Sequence, residues 1–177
     1  MPEARLRSGP RQPSAISKTN QGTSTMPSKL NDPTRLMTLI DVDKHPAFIR
    51  LWGPEGFERV TEKNLKRFTE RPGLVLAVFA DSPTTFKESI DMAVIAPEIA
   101  KAFAAHLSGK GFTDPAVGRA IASRFGLTRL PAAGFFRDGE FLGALQGLQD
   151  WDAYLKGLAE IGAKHSGAPR TIAIKAA

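Results

Sequence analysis

The seven residues Leu-Val-Leu-Ala-Val-Phe-Ala at 74–80 constrain this chain more than any other stretch. They form an unbroken apolar run of strand length, bounded by Arg71-Pro72-Gly73 before and Asp81-Ser82-Pro83 after. A strand with one wet face alternates apolar and polar residues. A run without alternation belongs inside a sheet that is covered on both faces. Two covered faces require helices above and below, which predicts an α/β sandwich. With 42% apolar residues in 177, the chain has enough material for one such domain with extensions.

The segments around this run supply the layers. A helix is expected from Asp32, with Pro33 at its first position and Leu36, Met37, Leu39 and Ile40 following. A short amphipathic piece after Pro46 carries Phe48, Ile49 and Trp52, and 57–61 reads as a short strand. Thr61 is placed to cap a helix through Phe68. Beyond the Asp81-Ser82-Pro83 loop, a helix is predicted from about Phe86 to Leu107, with Ile90, Val94, Ile95, Ile99 and Phe103 near one face and a kink at Pro97. Residues 107–112 are a weak strand, because Gly109 and Gly111 interrupt it. Asp114-Pro115 opens a compact helix that ends at Gly126, with Val117, Ile121 and Phe125 on one face. Asp138-Gly139 between two apolar runs is a strong hairpin signal. Asp150 is expected to cap a last helix, in which Trp151, Tyr154, Leu155 and Leu158 dock on the sheet.

The ends differ from this middle. Residues 1–31 are rich in Ser, Pro, Thr, Gln and Arg, and read as a disordered basic tail. A domain over 32–163 and a flexible tail over 164–177 complete the expected division. Met26 is a second candidate start beside Met1. Five cations against one anion in the first 30 residues account for four of the six net positive charges, so the basic character belongs mainly to the tail. No basic stripe with interleaved aromatics marks a nucleic-acid face. No run of 18 apolar residues suggests a membrane span, and the N-terminus lacks the apolar segment of a secretory signal. A cytoplasmic protein is expected.

The chain contains no cysteine, which excludes disulfides, thiolate metal sites and cysteine catalysis. His45, His106 and His165 have no metal-ligand spacing, so no metal and no cofactor are expected.

The order of elements resembles thioredoxin across about residues 57–163. The strand "LVLAVFA", the helix segment "AVIAPEIAKAF" with its internal Pro97, the linker "RAIASRFGLTRLP" ending at Pro131, and the hairpin and helix "GFFRDGEFLGALQGLQDWDAYLKGL" follow in the same sequence. The resemblance implies a thioredoxin-like three-layer α/β sandwich, a mixed β-sheet flanked by helices, with a cis peptide before Pro131. Where a thioredoxin carries its dithiol, this chain has "FADSPTTFKESID", so Ser82, Pro83, Thr84 and Thr85 form a degenerate active-site loop. A cysteine-free frame with Glu88 and Asp91 opening that helix is similar to the hydrogenase accessory family called HyaE, HupG or HoxO. That family implies a non-enzymatic chaperone for maturation of the [NiFe] uptake hydrogenase small subunit, binding its twin-arginine signal peptide or precursor before export. Other hydrogenase accessory proteins are further candidate partners. The weak strand at 107–112 departs from the family's Val/Ala-rich pattern: either backbone pairing sustains it, or the fold loses stability there.

Two readings of the candidate residues stand side by side. Glu88 and Asp91 are either a first-turn pair favoured by the helix dipole, or an acidic site for guanidinium groups. Pro131 either shapes the turn into the hairpin or, flanked by Arg129 and Leu130, borders a groove for an extended peptide. Phe48, Ile49 and Trp52 either cap the sheet or extend an apolar patch. Two further functions remain open: a generic thioredoxin-like interaction module, and a glutathione-dependent enzyme using the hydroxyl of Ser82 or Thr84. A hydroxyl needs an activating base, and none lies nearby in sequence.

Overall fold

The computed structural model describes residues 39–164. The expected tails, and all of the predicted first helix except Leu39 and Ile40, lie outside the described residues; those two are not helical. Five strands form one sheet: β1 (Glu58–Val60), β2 (Leu74–Phe79), β3 (Leu107–Thr113), β4 (Ala132–Arg137) and β5 (Glu140–Gln146). Their spatial order is β1-β3-β2-β4-β5. The pairs β1–β3 and β3–β2 are parallel, while β2–β4 and β4–β5 are antiparallel.

Every residue of β2 is buried, and alternate side chains enter two separate cores. Leu74, Leu76 and Val78 face a core built with α1 (Pro46–Trp52), α3 (Glu88–Ala102) and α5 (Trp151–Ala163). Val75, Ala77 and Phe79 face a second core with α2 (Leu65–Thr69) and α4 (Gly118–Ser123). Helices thus cover both faces, as an apolar run without alternation requires. The sheet order, the mixed strand directions and the cis Leu130–Pro131 peptide before β4 make this a thioredoxin-like fold.

The doubtful strand is the main correction. β3 runs seven residues and pairs on both sides, between β1 and β2. The strand survives as the backbone-pairing alternative required, and Gly111 makes room for a neighbouring side chain. A Cβ at Gly111 would lie 2.5 Å from Phe68 Cζ and 2.6 Å from Val60 Cγ2, so the Phe68 ring occupies the space a side chain would need. Leu107 accordingly begins this strand and does not end the preceding helix.

Other differences are local. Asn64, not Thr61, organises the start of α2: its Oδ1 accepts from the Thr61 N–H at 2.7 Å, and its Nδ2 donates to the Arg59 carbonyl at 2.9 Å. The Asp150 side chain makes no capping hydrogen bond, and α4 begins at Gly118, after Asp114 Oδ1 accepts from the Ala116 N–H. The Asp138-Gly139 turn forms as expected, with φ of 50° and 89°, the positive values that a two-residue hairpin needs.

Of the residues expected on the buried face, Ile99 and Phe103, just past the end of α3, are fully buried, and Met92, Ala93, Ala96 and Ala100 complete the stripe in place of Ile90, Val94 and Ile95. Val94 is 55% exposed, and Ile90 and Ile95 are half-buried. Alanines let the helix lie close to its neighbours, so the larger residues point partly outward.

Candidate functional site

β2 ends at Phe79, which pairs with Ala132, the first residue of β4. The loop from Asp81 and the cis-Pro131 peptide therefore leave the same end of the sheet. A helix, a loop and two strand ends converge there.

The loop after β2 is tightly held. Thr85 and Phe86 N–H groups both donate to the Ser82 carbonyl, at 3.1 and 2.8 Å. Asp81 Oδ1 accepts from the Ser82 N–H at 2.7 Å, and the Asp81 N–H donates to Oγ of the fully buried Ser89 at 3.2 Å. Asp81 Oδ2 receives Nε of Arg119 at 2.5 Å, and that guanidinium stacks 5.2 Å above the Phe86 ring. Arg119 reaches Asp81 because its neighbour is glycine: a Cβ at Gly118 would come within 1.8 Å of the Ala80 carbonyl oxygen. This ion pair joins residues 38 apart, and no local sequence signal announces it.

Of the loop hydroxyls, that of Thr84 has a structural partner. Thr84 Oγ1 accepts from the Ile40 N–H at 2.9 Å, fastening the incoming chain to the loop. Pro83 is buried, Ser82 half-buried and Thr85 exposed. His45 Nδ1 accepts from the Ala47 N–H at 3.3 Å at the start of α1, so that imidazole serves as a helix cap. Among the described residues, no group of three or more His, Cys, Asp or Glu has an arrangement that would hold a metal.

Glu88 and Asp91 stand exposed in the first turn of α3, without an ion pair among the described residues. The dipole of the helix favours negative charge there, and both carboxylates are open to a cationic partner.

The cis-Pro131 side is clamped from β5. Gln146 Oε1 accepts from the N–H groups of both Thr128 and Arg129, each at 2.9 Å. The Gly147 N–H donates to the Pro131 carbonyl at 2.7 Å, and exposed Arg129 lies across Gly147, with Nε 2.8 Å from where a Cβ would be. Gly147 has a φ of 76°, in the left-handed region that favours glycine. Leu130 turns its side chain into the second core with Val60, Leu65 and Leu127, and Pro131 is buried. At this position Leu130 therefore offers a groove its backbone and not its side chain.

Of the aromatic residues, Phe48 is fully buried, Trp52 is half-buried against it at 5.4 Å, and Ile49 is 53% exposed. Trp151, expected to dock on the sheet, is 36% exposed. Tyr154 is buried, and its hydroxyl donates to the Gly147 carbonyl at 3.0 Å, with Met92 Sδ at 3.8 Å. Burial raises the Tyr154 pKa above the ordinary value near 10. Through this phenol α3, α5 and the cis-Pro131 linker meet.

Comparison with known proteins places this geometry in a family. The family described as "Hydrogenase-1 expression protein HyaE" matches residues 47–154. The chain is similar to the hydrogenase expression/formation protein HupG of Rhodobacter capsulatus, 33% identical over 116 residues, covering 63% of this chain and 80% of the relative. It is similar to HoxO of Cupriavidus necator, 32% identical over 101 residues, covering 54% of this chain and 60% of the relative. Among solved structures it is similar to a hydrogenase expression/formation protein HupG from Rhodopseudomonas palustris CGA009. That match has 25% identity and a TM-score of 0.42, and covers 63% of this chain and 99% of the other.

Proposed function

The chain belongs to the HyaE family of hydrogenase expression proteins, and we propose that it is a thiol-free holding protein for the precursor of a [NiFe] hydrogenase small subunit. It grips the twin-arginine signal segment in the cytoplasm, before export, and carries out no chemistry on it.

One observation carries the reading: Glu88 and Asp91 are exposed and unpaired at the sheet end where β2 and the cis-Pro131 linker converge. Each guanidinium of a twin-arginine pair presents a planar, permanently charged fork that matches a carboxylate through two hydrogen bonds. Exposed ion pairs contribute only about 0 to 1 kcal/mol each, and salt weakens them. The carboxylates therefore give orientation and salt sensitivity, while most of the affinity has to come from apolar contact. The well-anchored 81–89 loop supports the reading, since a helix start held in place by Asp81, Arg119 and Ser89 presents its carboxylates in one geometry.

The test is binding of the purified small-subunit precursor to wild type and to the Glu88→Gln/Asp91→Asn variant, from about 50 to about 300 mM salt. The variant should stay folded, with a slightly lower melting temperature from the lost dipole interaction, bind more weakly at low salt and lose most of the salt dependence. Equal binding by both proteins across that range would leave the carboxylates as a helix-start feature alone.

A further inference from the structure

The carboxylates of α3 adjoin an apolar groove that the sequence did not reveal. Val94, Ile95 and Glu98 of α3 and Trp151 of α5 line a shallow cleft of about 300 Å³, open along one side. Val94 and Trp151 are among the few large apolar side chains substantially exposed in the described residues. Glu88, Asp91, Val94, Ile95 and Glu98 follow at helical spacing, so charge and groove share one face of α3. Asp150 and Asp152, the chain neighbours of Trp151, are exposed. Lys101 Nζ bonds Glu98 at 2.7 Å, so those two charges offset one another, while Glu88 and Asp91 carry no ion pair among the described residues.

We propose that the α3–α5 groove is the docking surface for the apolar part of the same precursor segment whose basic part meets Glu88 and Asp91. The inference rests on the function proposed above and relocates the apolar contact, because Leu130 and Pro131 offer no exposed apolar surface. Its occupant is a polypeptide with a basic end followed by an apolar stretch. The unpaired Glu88 and Asp91, on the same face of α3 as the groove, complement the basic end of such a segment. The cleft on the other side of Val94, against α1, is bordered by Arg50 and His45 and complements it less well. Along α3, Glu88 and Ile95 are seven residues apart, about 10 Å at 1.5 Å per residue. The segment's cationic and apolar groups then engage within two turns of one helix.

Trp151 supplies the probe. The chain has two tryptophans, and Trp52 Nε1 is buried without a hydrogen-bond partner, so Trp52→Phe discards no hydrogen bond. In the full chain carrying Trp52→Phe, a fluorescently labelled synthetic signal segment of the precursor, free of tryptophan, is titrated by anisotropy and by Trp151 emission. Saturable anisotropy with a matching blue shift of Trp151 is expected, as water leaves the indole. Val94→Ser, at an exposed position that should not affect folding, should weaken binding about tenfold. Glu88→Gln/Asp91→Asn should reach the same blue shift, but at higher peptide concentration. Saturable anisotropy with unchanged Trp151 emission, or with unchanged affinity in Val94→Ser, overturns the groove assignment and leaves the proposed function standing. No binding at all by anisotropy removes the proposed function, and this inference with it.

Discussion

Tyr154 and Pro131 are joined through a single glycine. The phenol hydroxyl donates to the Gly147 carbonyl at 3.0 Å, and the Gly147 N–H donates to the Pro131 carbonyl at 2.7 Å. The last helix thereby holds the linker that enters β4, and Met92 Sδ beside the hydroxyl brings α3 into the same arrangement. The helix bearing the acidic pair and the cis-Pro131 linker are thus positioned by one shared phenol. The proposed function asks only positioning of this end of the sheet, and the chain has no thiol.

Tyr154→Phe should destabilise the fold by about 1 to 2 kcal/mol, because the buried Gly147 carbonyl loses its donor. Tyr154 is also the only tyrosine. Its folded pKa is raised, so above about pH 10 the unfolded chain releases this proton first and wild-type stability falls with rising pH. Below that range both states keep the proton and the effect vanishes. Denaturant melts of wild type and Tyr154→Phe across alkaline pH check this: the difference between them should shrink as pH rises. A tyrosinate absorbance titrating at the ordinary value in the folded protein would contradict it.

Gly111→Ala should destabilise by about 1 to 3 kcal/mol, opposite in sign to what strand propensity predicts. The added methyl meets the Phe68 ring and Val60 at distances no side chain tolerates. Gly109→Ala should cost much less, since its nearest neighbour is the end of the Arg71 side chain at 3.1 Å. Thermal denaturation of the two variants, with Phe68→Leu added to Gly111→Ala, tests the cause: the smaller partner should recover part of the loss.

Asp81→Ala should loosen residues 82–89 while leaving the sheet intact. It removes the acceptor for the Ser82 N–H and the partner of Arg119 Nε, at a cost of about 1 to 2 kcal/mol. Amide hydrogen exchange should quicken at Thr85, Phe86 and Ser89 and stay slow in β2. Unchanged exchange in that loop would show that the backbone turn around Ser82 suffices.

No disulfide reductase activity should be measurable with insulin as substrate, since exchange begins with attack by a thiolate and the chain has none. Turnover by a homogeneous sample would refute the reading of this loop as chemically inert.

What the sequence determined by itself is whatever depends on neighbours along the chain. The unbroken apolar run at 74–80 required a strand covered on both faces, Asp138-Gly139 required a tight hairpin, and the missing cysteines removed thiol–disulfide exchange. The succession of motifs placed Pro131 and the acidic pair at the same end of a thioredoxin-like sheet. What only the tertiary structure decided depends on space between distant segments. Gly111 looked like a defect until the Phe68 ring was found in the volume its side chain would occupy. Asp81 and Arg119 meet only because Gly118 lets α4 lie against the end of β2. Val94 and Trp151 look like core residues by hydrophobicity and helical spacing. Val94 is exposed because Met92, Ala93, Ala96, Ile99 and Ala100 carry the buried face of α3, and Trp151 stands 36% exposed at the start of α5. Periodicity says which residues share a helix face, but not which face the packing will leave in water, because that depends on how closely the neighbouring helices and sheet approach.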